Sequence, residues 1–438
     1  MRLLVLGAAV SGAAAARLGR RLGYAVTVFD EDRAAGSDLI GEGIGTVTGR
    51  WEPDLLTGID LVITSPGFPL RSAPITDARE YGVPVWSELE FAWRQIKTPV
   101  IAVTGTNGKT TVSEATAAML TASGTTTAAV GNIGTPLSSV AGEDFDVLVV
   151  EVSSFQLDFT ERFHPETAVL MNLAPDHLDW HPSYAAYAAA KAKLFDNQTS
   201  ADLVIFDNDD PGSQPLVKTL RGRGQPPRLW PVSGKECPAG GSGPAAGALQ
   251  LPGVTVPLAD LAAPDPILVV DLAAAGVAAL EHGARPEAVA EVCRRFRPGP
   301  HRRALVAQKG GVAFVDDSKA TNPHAALASI ASFPSVVLIA GGTTKGLDIS
   351  PLARAANVRH VVAIGEAAAV LVEAAGAARS SSAGSMTEAV VIAASIARAG
   401  DTVLLAPGCA SFDMFESYGA RGDAFGLAVR QVIRGGAA

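Results

Sequence analysis

Residues 103–112 read VTGTNGKTTV, and the spacing of the glycines in this stretch decides how the chain around it folds. The end of the stretch, GKT, matches a phosphate-binding P-loop, whose usual pattern G-x-x-x-x-G-K-[ST] places another glycine five residues before the second one. Val103 occupies that position, and the nearest earlier glycine, Gly105, lies only three residues before Gly108. The stretch is therefore either a shortened phosphate loop or a surface turn that contains a lysine.

The flanking sequence favours the phosphate loop. PVIAV before it is typical of a buried strand, and VSEATAAMLTASG after it predicts a helix that ends at Gly124. Glycines in such a loop permit tight turns with inward-facing N–H groups, the lysine reaches terminal phosphates, and the following hydroxyl can ligate Mg²⁺. The predicted ATP loop comprises Gly105, Thr106, Asn107, Gly108, Lys109, Thr110 and Thr111.

Length and composition limit the class of protein. A chain of 438 residues suggests about three domains. No apolar run reaches the roughly 18 residues of a membrane span, and the start of the chain reads as strand, turn and helix rather than as a signal peptide, so we expect a cytoplasmic protein. The net charge of −9 argues against nucleic acid as a partner. Three separated cysteines form no C-x-x-C pair, which argues against a zinc cage or disulfide framework.

Short β-branched runs alternate with alanine-rich stretches along most of the chain, as in RLLVLG, DVLVVEVS and TVLLAPG. Apolar runs without alternation predict strands buried on both faces, and hence an α/β fold with parallel sheets. The Gly- and Pro-rich stretch from Gly222 to Pro266 predicts loops and short strands, and FRPGPHRR reads as a linker. We expect three domains: 1–97, Rossmann-like; 98–299, a P-loop ATPase-like parallel sheet; and 300–438, again Rossmann-like.

A second glycine loop, GAAVSG at residues 7–12, follows the first predicted strand, and Asp30 ends the next. The pattern approaches the dinucleotide fingerprint G-x-G-x-x-G, but Ala9 replaces the glycine that lets the backbone approach a pyrophosphate. NAD, another nucleotide and a plain structural turn all remain open for this loop. A later loop of the same sheet, Ser65 to Gly67, can face the same ligand, because parallel strands carry their carboxyl ends to one edge.

Polar residues follow two strands of the predicted central sheet. Glu151 ends DVLVVE, where a carboxylate can hold a phosphate-bound metal, although an isolated strand-end glutamate is more often plain surface. Asp176 and His177 come directly after AVLMNL, which favours a metal or substrate role. Lys191 and Lys193 on the following helix are expected to be solvated on local pattern alone.

Nine motifs occur in order and carry a family resemblance. They are GTNGKTT, GNIG (131–134), EVSSFQL (151–157), DHLD (176–179), a helix lysine, HR (301–302), DDSKATN (316–322), GGTTKGLD (341–348) and PGCASFDMF (407–415). Together they resemble the Mur ligases, ATP-dependent amino-acid ligases of peptidoglycan precursor synthesis and cell wall biogenesis. This family's phosphate loop has the shortened G-x-x-G-K-[ST] form. EVSSFQL, DDSKATN and the N-terminal domain imply the step that adds D-glutamate to UDP-N-acetylmuramoyl-L-alanine through an acyl phosphate.

The resemblance implies a different ligand-binding role for each of the three domains. The first would bind the UDP of the substrate, and Asn132 of the central domain would contact that substrate near its diphosphate. ATP would lie on the phosphate loop beside Asp271, with Arg302 and Asp317 reaching it from the third domain. The UDP-substrate residues would be Val10, Ser11, Asp30, Arg33, Ser65, Pro66, Gly67 and Asn132.

The resemblance also implies metal, catalytic and amino-acid-binding residues. Two Mg²⁺ ions would be held by Thr110, Glu151, His177 and Lys191, the last as a lysine carbamate. Lys109, His177, Lys191 and Lys319 would carry the chemistry, and either a nearby carboxylate or His177 would deprotonate the amine. The D-glutamate residues would be Thr321, Lys345, Ser411, Phe412 and Tyr418.

Three positions depart from the family pattern. Asp271 stands where asparagine is usual, Tyr418 replaces a phenylalanine, and Trp180 follows DHLD where arginine is common. The UDP segment reads DEDR, which leaves the register between Asp30 and Arg33 open. An aspartate near the adenine nucleotide removes an amide donor and adds negative charge beside phosphates.

Other functions account for less of the sequence. A sibling Mur ligase with another amino acid stays close, whereas a folylpolyglutamate synthetase would lack the first domain. A P-loop regulator or transporter subunit would have no use for DDSKATN or PGCASFDMF, and Ala9 disfavours an NAD-dependent dehydrogenase. We expect a monomer that binds ATP, D-glutamate and the UDP-sugar substrate and no membrane.

Overall fold

The computed structural model describes residues 1–262 and 265–435, which divide into two compact units. The first unit comprises Met1–Leu173 and Ala185–Phe296, and the second comprises Ala174–Tyr184 and the chain from Arg297 onward. No helix within the described residues is long and apolar enough to cross a membrane.

The first sheet of the first unit is wholly parallel, with strand order β3-β2-β1-β4-β5, which is the start of a doubly wound arrangement. Its strands are β1 (Arg2–Leu6), β2 (Ala25–Asp30), β3 (Gly45–Thr48), β4 (Leu61–Thr64) and β5 (Val85–Ser87). Its helices are α1 (Val10–Arg21), α2 (Ser37–Gly41), α3 (Ala73–Glu80) and α4 (Glu88–Trp93), and a 3₁₀ turn covers Pro53–Leu56.

The second sheet of this unit is also parallel, in the order β11-β10-β9-β6-β8-β7. Its strands are β6 (Val100–Thr104), β7 (Thr127–Gly131), β8 (Val147–Glu151), β9 (Thr167–Leu170), β10 (Leu203–Asp207) and β11 (Arg228–Val232). The helices are α5 (Lys109–Ala122), α6 (Leu137–Val140), α7 (Ser154–Leu157), α8 (Tyr184–Ala192), α9 (Gln214–Arg221), α10 (Pro266–Glu281) and α11 (Pro286–Arg295).

The Gly- and Pro-rich stretch forms short strands and turns within its described residues, as its composition predicts. After β11 it builds a small antiparallel sheet of β12 (Gly243–Ala245), β13 (Ala248–Leu251) and β14 (Val254–Pro257). A 3₁₀ turn at Leu258–Asp260 lies in this stretch, and another at Lys193–Phe195 directly follows α8.

The second unit contains one six-stranded sheet in the order β15-β16-β20-β17-β18-β19, in which only the β15–β16 pair is antiparallel. Its strands are β15 (Ala304–Lys309), β16 (Val312–Asp316), β17 (Val336–Gly341), β18 (Val358–Ile364), β19 (Ser380–Ser382) and β20 (Thr402–Leu405). Its helices are α12 (Pro323–Ala331), α13 (Ser350–Arg354), α14 (Ala368–Ala375), α15 (Met386–Ile396) and α16 (Tyr418–Gly435), and a 3₁₀ turn covers Ala377–Arg379.

The central strands are buried along their whole length, which confirms the prediction of parallel sheets covered on both faces. All residues of β6, β8 and β20 are buried. In the first unit one hydrophobic cluster continues from Leu3 and Val28 of the first sheet to Leu148 and Val150 of the second. The domain limits at residues 97 and 299 stay a prediction.

Two glutamates of α4 connect the first sheet with a loop and a helix of the second. The buried Glu90 carboxylate accepts hydrogen bonds from Arg94 Nε at 2.7 Å and from the backbone N–H groups of residues 161–163 at 2.9 to 3.2 Å. Glu88 Oε1 accepts from Ser138 N at 2.6 Å, but Glu88 Oε2 has no hydrogen-bond partner in the described part of the chain. Burial raises the pKa of Glu88, and its hydrogen bonds with Ser138 offset only part of that effect.

The Glu88→Gln variant is expected to be more stable than the wild type at pH 8 and equally stable near pH 4. Because the folded-state pKa of Glu88 lies above the unfolded value of about 4.3, the wild type loses stability as pH rises from that value through the folded pKa. Each unit by which the folded-state pKa exceeds the unfolded one lowers the free energy of unfolding at high pH by about 1.4 kcal/mol. Glutamine does not ionise, so the variant has no such loss. Calorimetric unfolding of both proteins across this pH range measures the difference.

The matched control is Glu52→Gln, because the Glu52 side chain is 66% exposed and its only ion pair within the described residues is with Arg50 at 3.8 Å. This substitution should leave the pH dependence of stability unchanged. A Glu88→Gln difference that is the same at pH 4 and pH 8 would contradict the assignment of a raised pKa.

Candidate functional site

The predicted phosphate loop lies between β6 and α5, at the carboxyl edge of the second sheet. Gly105 has φ +148° and Gly108 has φ +86°, backbone conformations that side chains rarely adopt. A Cβ at Gly108 would lie 2.8 Å from Asp271 Oδ1, and one at Gly105 would lie 3.2 Å from the Asn172 nitrogen. The loop therefore requires glycine at both positions for conformation and for space.

Hydrogen bonds hold the loop in shape. The backbone N–H groups of Thr106 and Asn107 donate to the carbonyl and side-chain oxygens of Asn172, each at 2.8 Å. Lys109 Nζ donates to the carbonyls of Gly105 and Thr106 at 2.9 and 3.0 Å. These bonds keep an ammonium at the N-terminus of α5, where the helix dipole also favours an anion.

The hydroxyls that follow the lysine differ in exposure. Thr110 is half-buried in the first turn of α5, whereas Thr111 is buried. The hydroxyl that a phosphate-bound cation would contact is therefore the more accessible of the two.

Glu151 lies on the strand next to the loop, since β8 pairs with β6 and Val103 stands opposite Glu151. Its carboxylate is 2% exposed; Oε1 accepts from Asn132 Nδ2 at 2.9 Å, and Oε2 has no partner within the described residues. A buried carboxylate oxygen without a donor suits a hard cation such as Mg²⁺. Among the described residues no group of three or more His, Cys, Asp or Glu is arranged to hold a metal ion.

Lys191 is 1% exposed, so the expectation from local pattern that it is solvated is wrong. Its Nζ lies 3.3 Å from Thr104 Oγ1 and 4.9 Å from the centre of the Tyr187 ring. Lys193 is half-buried, and its Nζ donates to the Asp158 carbonyl at 2.6 Å. Helical spacing alone could not separate these two lysines, because the burial of Lys191 depends on contacts with residues distant in sequence, such as Thr104 of β6.

Asp271 lies on α10, a helix that is buried along most of its length and packs against α5. The position of its Oδ1 relative to Gly108 places the carboxylate against the phosphate loop itself. The aspartate at this position, where the resemblance implies asparagine, therefore lies beside the phosphate loop.

The loops after β1 and β4 meet at one cleft of about 430 Å³. A Cβ at Gly7 would lie 2.1 Å from Ser65 Oγ, so glycine is needed where the two loops touch. Asp30 Oδ2 accepts from Ala8 N at 2.7 Å, which makes that carboxylate a support of the first loop. The cleft is lined by Gly7, Ala9, Val10, Ser11, Asp30, Glu31, Ser65, Pro66, Gly67 and Phe68.

Six of the eight predicted UDP-substrate residues line this cleft; Arg33 and Asn132 do not. Arg33 is exposed beyond β2, and Asn132 is bonded to Glu151 on the second sheet. Glu31 and Phe68 line the cleft but were not among the predictions. The DEDR segment thus contributes its first two residues to this cleft.

In the second unit Asp176 contacts the DDSKATN and GGTTKGLD motifs. Its Oδ2 accepts from Asn322 Nδ2 at 2.9 Å, its Oδ1 accepts from His177 N at 2.9 Å, and Lys345 Nζ lies 3.6 Å from Oδ1. His177 and Lys345 both have positive φ, 54° and 53°, a strained conformation that is common at functional sites. Sequence reasoning singled out Asp176, His177 and Lys345, but not the contacts of Asp176 with Asn322 and Lys345.

The HR and DDSKATN motifs also come together in this unit. His301 Nδ1 lies 2.7 Å from Asp316 Oδ2, and Arg302 is half-buried beside it. Asp317 Oδ1 accepts from Arg303 N at 3.1 Å; burial raises the pKa of Asp317 to about 6, and the Arg303 charge opposes that rise. Lys319 Nζ lies 3.8 Å from the centre of the Tyr418 ring, a cation–π contact.

A cleft of about 570 Å³ lies beyond β17 and β18, where parallel sheets bind ligands. Of the predicted D-glutamate residues only Lys345 lines it; Ser411 is buried, and Phe412 is 77% exposed. The structure therefore does not bring the five predicted residues into this cavity. The cleft is lined by Leu178, Asp179, Thr343, Thr344, Lys345, Gly346, Glu366, Ala367 and Val370.

A shortened phosphate loop beside a buried strand-end carboxylate, with a separate cleft on a doubly wound sheet, defines an α/β protein of the P-loop nucleotide-binding class. Three family models match the chain: "Mur ligase MurD-like, N-terminal domain" at residues 1–87, "Mur ligase middle domain" at 103–229, and "Mur ligase, glutamate ligase domain" at 301–409. The chain belongs to the Mur ligase family.

Curated relatives resemble the chain over nearly its whole length. The UDP-N-acetylmuramoylalanine–D-glutamate ligase of Frankia casuarinae is 43% identical, over 98% of this chain and 93% of its own. The protein of the same name from Streptomyces avermitilis is 41% identical, over 97% of each chain.

Solved structures share the fold at lower identity. A pseudomurein peptide ligase type C from Methanothermus fervidus matches with a TM-score of 0.61 and 17% identity, over 98% of this chain and 99% of that one. UDP-N-acetylmuramate-alanine ligase MurC from Thermotoga maritima matches with a TM-score of 0.56 and 18% identity, over 99% of both chains. These matches support the α/β architecture.

Gly108→Ala is expected to weaken binding of Mg-ATP by about tenfold or more. A left-handed alanine costs about 1–2 kcal/mol, and its Cβ would force the loop away from Asp271 Oδ1. Isothermal titration of the purified variant with Mg-ATP measures the loss.

Gly124→Ala is the matched control at the other end of α5. Its φ of +91° imposes similar strain, but a Cβ there meets no atom within 4 Å. Both variants should lose thermal stability, and only Gly108→Ala should lose nucleotide affinity. Equal loss of affinity in the two variants would show that the space around Gly108 is not needed for the nucleotide.

Proposed function

We propose that the chain catalyses ATP-dependent addition of D-glutamate to UDP-N-acetylmuramoyl-L-alanine, with ADP and phosphate as the other products. Relatives of 36–43% identity over nearly the full chain all carry that activity in their names, which is the observation that supports the substrates. The phosphate loop beside a buried carboxylate supports the reaction class. Such a ligase belongs to peptidoglycan precursor synthesis.

The chemistry requires activation of a carboxylate. A carboxylate oxygen of the L-alanyl group attacks the γ-phosphorus of ATP, the bond to ADP breaks, and an acyl phosphate forms. The amine of D-glutamate then attacks the acyl carbon, the tetrahedral intermediate expels phosphate, and the nitrogen loses a proton. The protein contributes by positioning the reactants and by offsetting charge.

The loop residues 105–111 are proposed to hold the ATP phosphates. Backbone N–H groups and the N-terminus of α5 face the anion, and Lys109 exchanges its two carbonyl partners for phosphate oxygens. Mg²⁺ would neutralise phosphate charge there. Thr110 and Glu151 would hold one ion, with Asn132 keeping the Glu151 carboxylate in place; His177 and a carbamylated Lys191 would hold a second.

The cleft on the first sheet is proposed to hold the UDP moiety. Val10 is 67% exposed at its edge and offers an apolar contact, and Ser11 and Ser65 offer hydroxyls. Arg33 would reach the ligand from outside the cleft, and Asn132 would contact the part of the substrate nearest the metal. We propose that the domain that binds UDP comprises residues 1–97, that the ATP-binding domain comprises 98–299, and that the amino-acid-binding domain comprises 300–438.

The second unit is proposed to bind D-glutamate, whose two carboxylates call for cationic and hydroxyl partners. Lys345 would exchange its 3.6 Å contact with Asp176 for a substrate carboxylate, aided by Thr321, Ser411, Phe412 and Tyr418. Lys319 would lie near the reacting phosphates, and Arg302 and Asp317 would reach ATP. His177 or a nearby carboxylate would accept the amine proton. We propose a monomeric, cytoplasmic enzyme.

ATP-dependent phosphate release with UDP-N-acetylmuramoyl-L-alanine should occur with D-glutamate and not with L-glutamate, L-alanine, L-lysine or meso-diaminopimelate. The reaction would contain Mg²⁺ and bicarbonate, and mass spectrometry would identify the amide product. Release with a different amino acid would keep the ligase mechanism and move the chain to a sibling step. No release with any of them in well-folded protein would refute the proposal.

Carbamylation of Lys191 predicts a carbonyl resonance from ¹³C-labelled bicarbonate in the wild type that is absent from Lys191→Arg. The same substitution should lower kcat by about a hundredfold or more, as expected for loss of a group that stabilises transition-state charge. Lys193→Arg is the matched control, since that half-buried lysine contacts the Asp158 carbonyl. A resonance that persists in Lys191→Arg would place the carbamate elsewhere or exclude it.

A further inference from the structure

Arg421 is the largest fully buried side chain of the described chain, and none of the predicted roles uses it. It lies in the first turn of α16. Its three hydrogen-bond acceptors are neutral: Nε donates to Ser318 Oγ at 2.9 Å, Nη2 to the Ser318 carbonyl at 2.9 Å, and Nη1 to the Cys409 carbonyl at 3.1 Å. Burying a charged guanidinium with only neutral hydrogen-bond acceptors costs free energy of folding. A buried arginine at this position therefore calls for an explanation.

The acceptors belong to two loops that leave adjacent strands. Ser318 follows β16 and lies between Asp317 and Lys319, and Cys409 follows β20 two residues before Ser411. The strands β16 and β20 pair in parallel, so both loops start at the same edge of the sheet. The guanidinium therefore connects the two loops through its hydrogen bonds to Ser318 and Cys409.

Ser318 extends the connection to α16. Its hydroxyl accepts from Arg421 and donates to the Tyr418 carbonyl at 2.8 Å, and the ring of Tyr418 lies under Lys319 Nζ. These contacts link Arg421 through Ser318 to Tyr418, and the Tyr418 ring in turn contacts Lys319. Five N–H groups in a rigid planar fork allow arginine to serve acceptors on two loops, which a lysine ammonium could not do with the same geometry.

We propose that Arg421 is a positioning residue that fixes the loop carrying Asp317 and Lys319 relative to the loop carrying Ser411. The first loop serves the reacting phosphates and the second serves D-glutamate, so this inference rests on the proposed function. Arg421 sets the distance between the amine and the acyl phosphate without touching either substrate.

The test compares Arg421→Lys and Arg421→Ala with the wild type in kinetics and in amide hydrogen exchange. The KM for D-glutamate should rise by about tenfold or more, because a displaced loop misplaces the groups that would bind the amino acid. The affinity for the UDP-sugar substrate, measured by titration, should stay within about twofold, since that substrate's cleft is built by the first sheet. Amides at 317–320 and 408–411 should exchange faster in the absence of any ligand.

Arg359→Lys is the matched control. Arg359 is a half-buried arginine of the same unit that donates to Asp401 Oδ2 and to the Ile396 carbonyl, away from both loops. It should lose thermal stability with an unchanged KM for D-glutamate and unchanged exchange at the two loops. If Arg421→Lys behaves in the same way as this control, the positioning role is refuted.

Hydrogen exchange separates this inference from the proposed function. A wild type that ligates no D-glutamate would refute the proposed function, while faster exchange at both loops in Arg421→Ala would still support their connection through Arg421. If Arg421→Ala fails to fold, the milder Arg421→Lys decides the question. Unchanged exchange at both loops in a folded variant would overturn the inference whatever the activity.

Discussion

The register between β6 and β8 is the constraint on which the candidate site depends. Because the strands are parallel and Val103 stands opposite Glu151, the phosphate loop and the carboxylate emerge side by side at the same edge. A shift of the pairing by one residue would turn Glu151 to the other face of the sheet. Every residue of each strand is enclosed, so a shift would also disturb close packing on both faces of the sheet.

Buried charge marks the places where this framework is held together. Glu90 is stabilised by four donors, whereas Glu88 has one oxygen without a partner in the described residues and a raised pKa. Burial lowers the pKa of Arg421 to about 10, although three hydrogen bonds hold its guanidinium. Apolar residues would be less costly at such positions. The two glutamates instead bond to backbone N–H groups of the second sheet's connections, and Arg421 bonds to the loops that carry Lys319 and Ser411.

Local sequence predicted those features whose cause is local. The shortened glycine loop, the strands and the turn-rich stretch follow from residue order, turn chemistry and hydrophobic pattern, and the structure contains each of them. The burial of Lys191 and the Asp176 contacts to Asn322 and Lys345 depend on residues far apart in sequence. The hydrophobic periodicity of the sequence contains no information about such contacts. Arg421 was missed for the same reason, since on a helix of mixed composition it resembles any solvated arginine.

Asp271 shows how one substitution acts through packing. Its carboxylate lies against Gly108, so a negative charge adjoins the loop proposed to hold ATP phosphates. Repulsion there would oppose nucleotide binding, and the groups that counter it are the dipole of α5 and the Lys109 ammonium. Both lie at the loop, since α5 begins at Lys109 and the Lys109 ammonium donates to the carbonyls of Gly105 and Thr106. An asparagine would place no charge beside the loop, so the aspartate makes the helix dipole and the Lys109 ammonium more important for nucleotide binding in this chain.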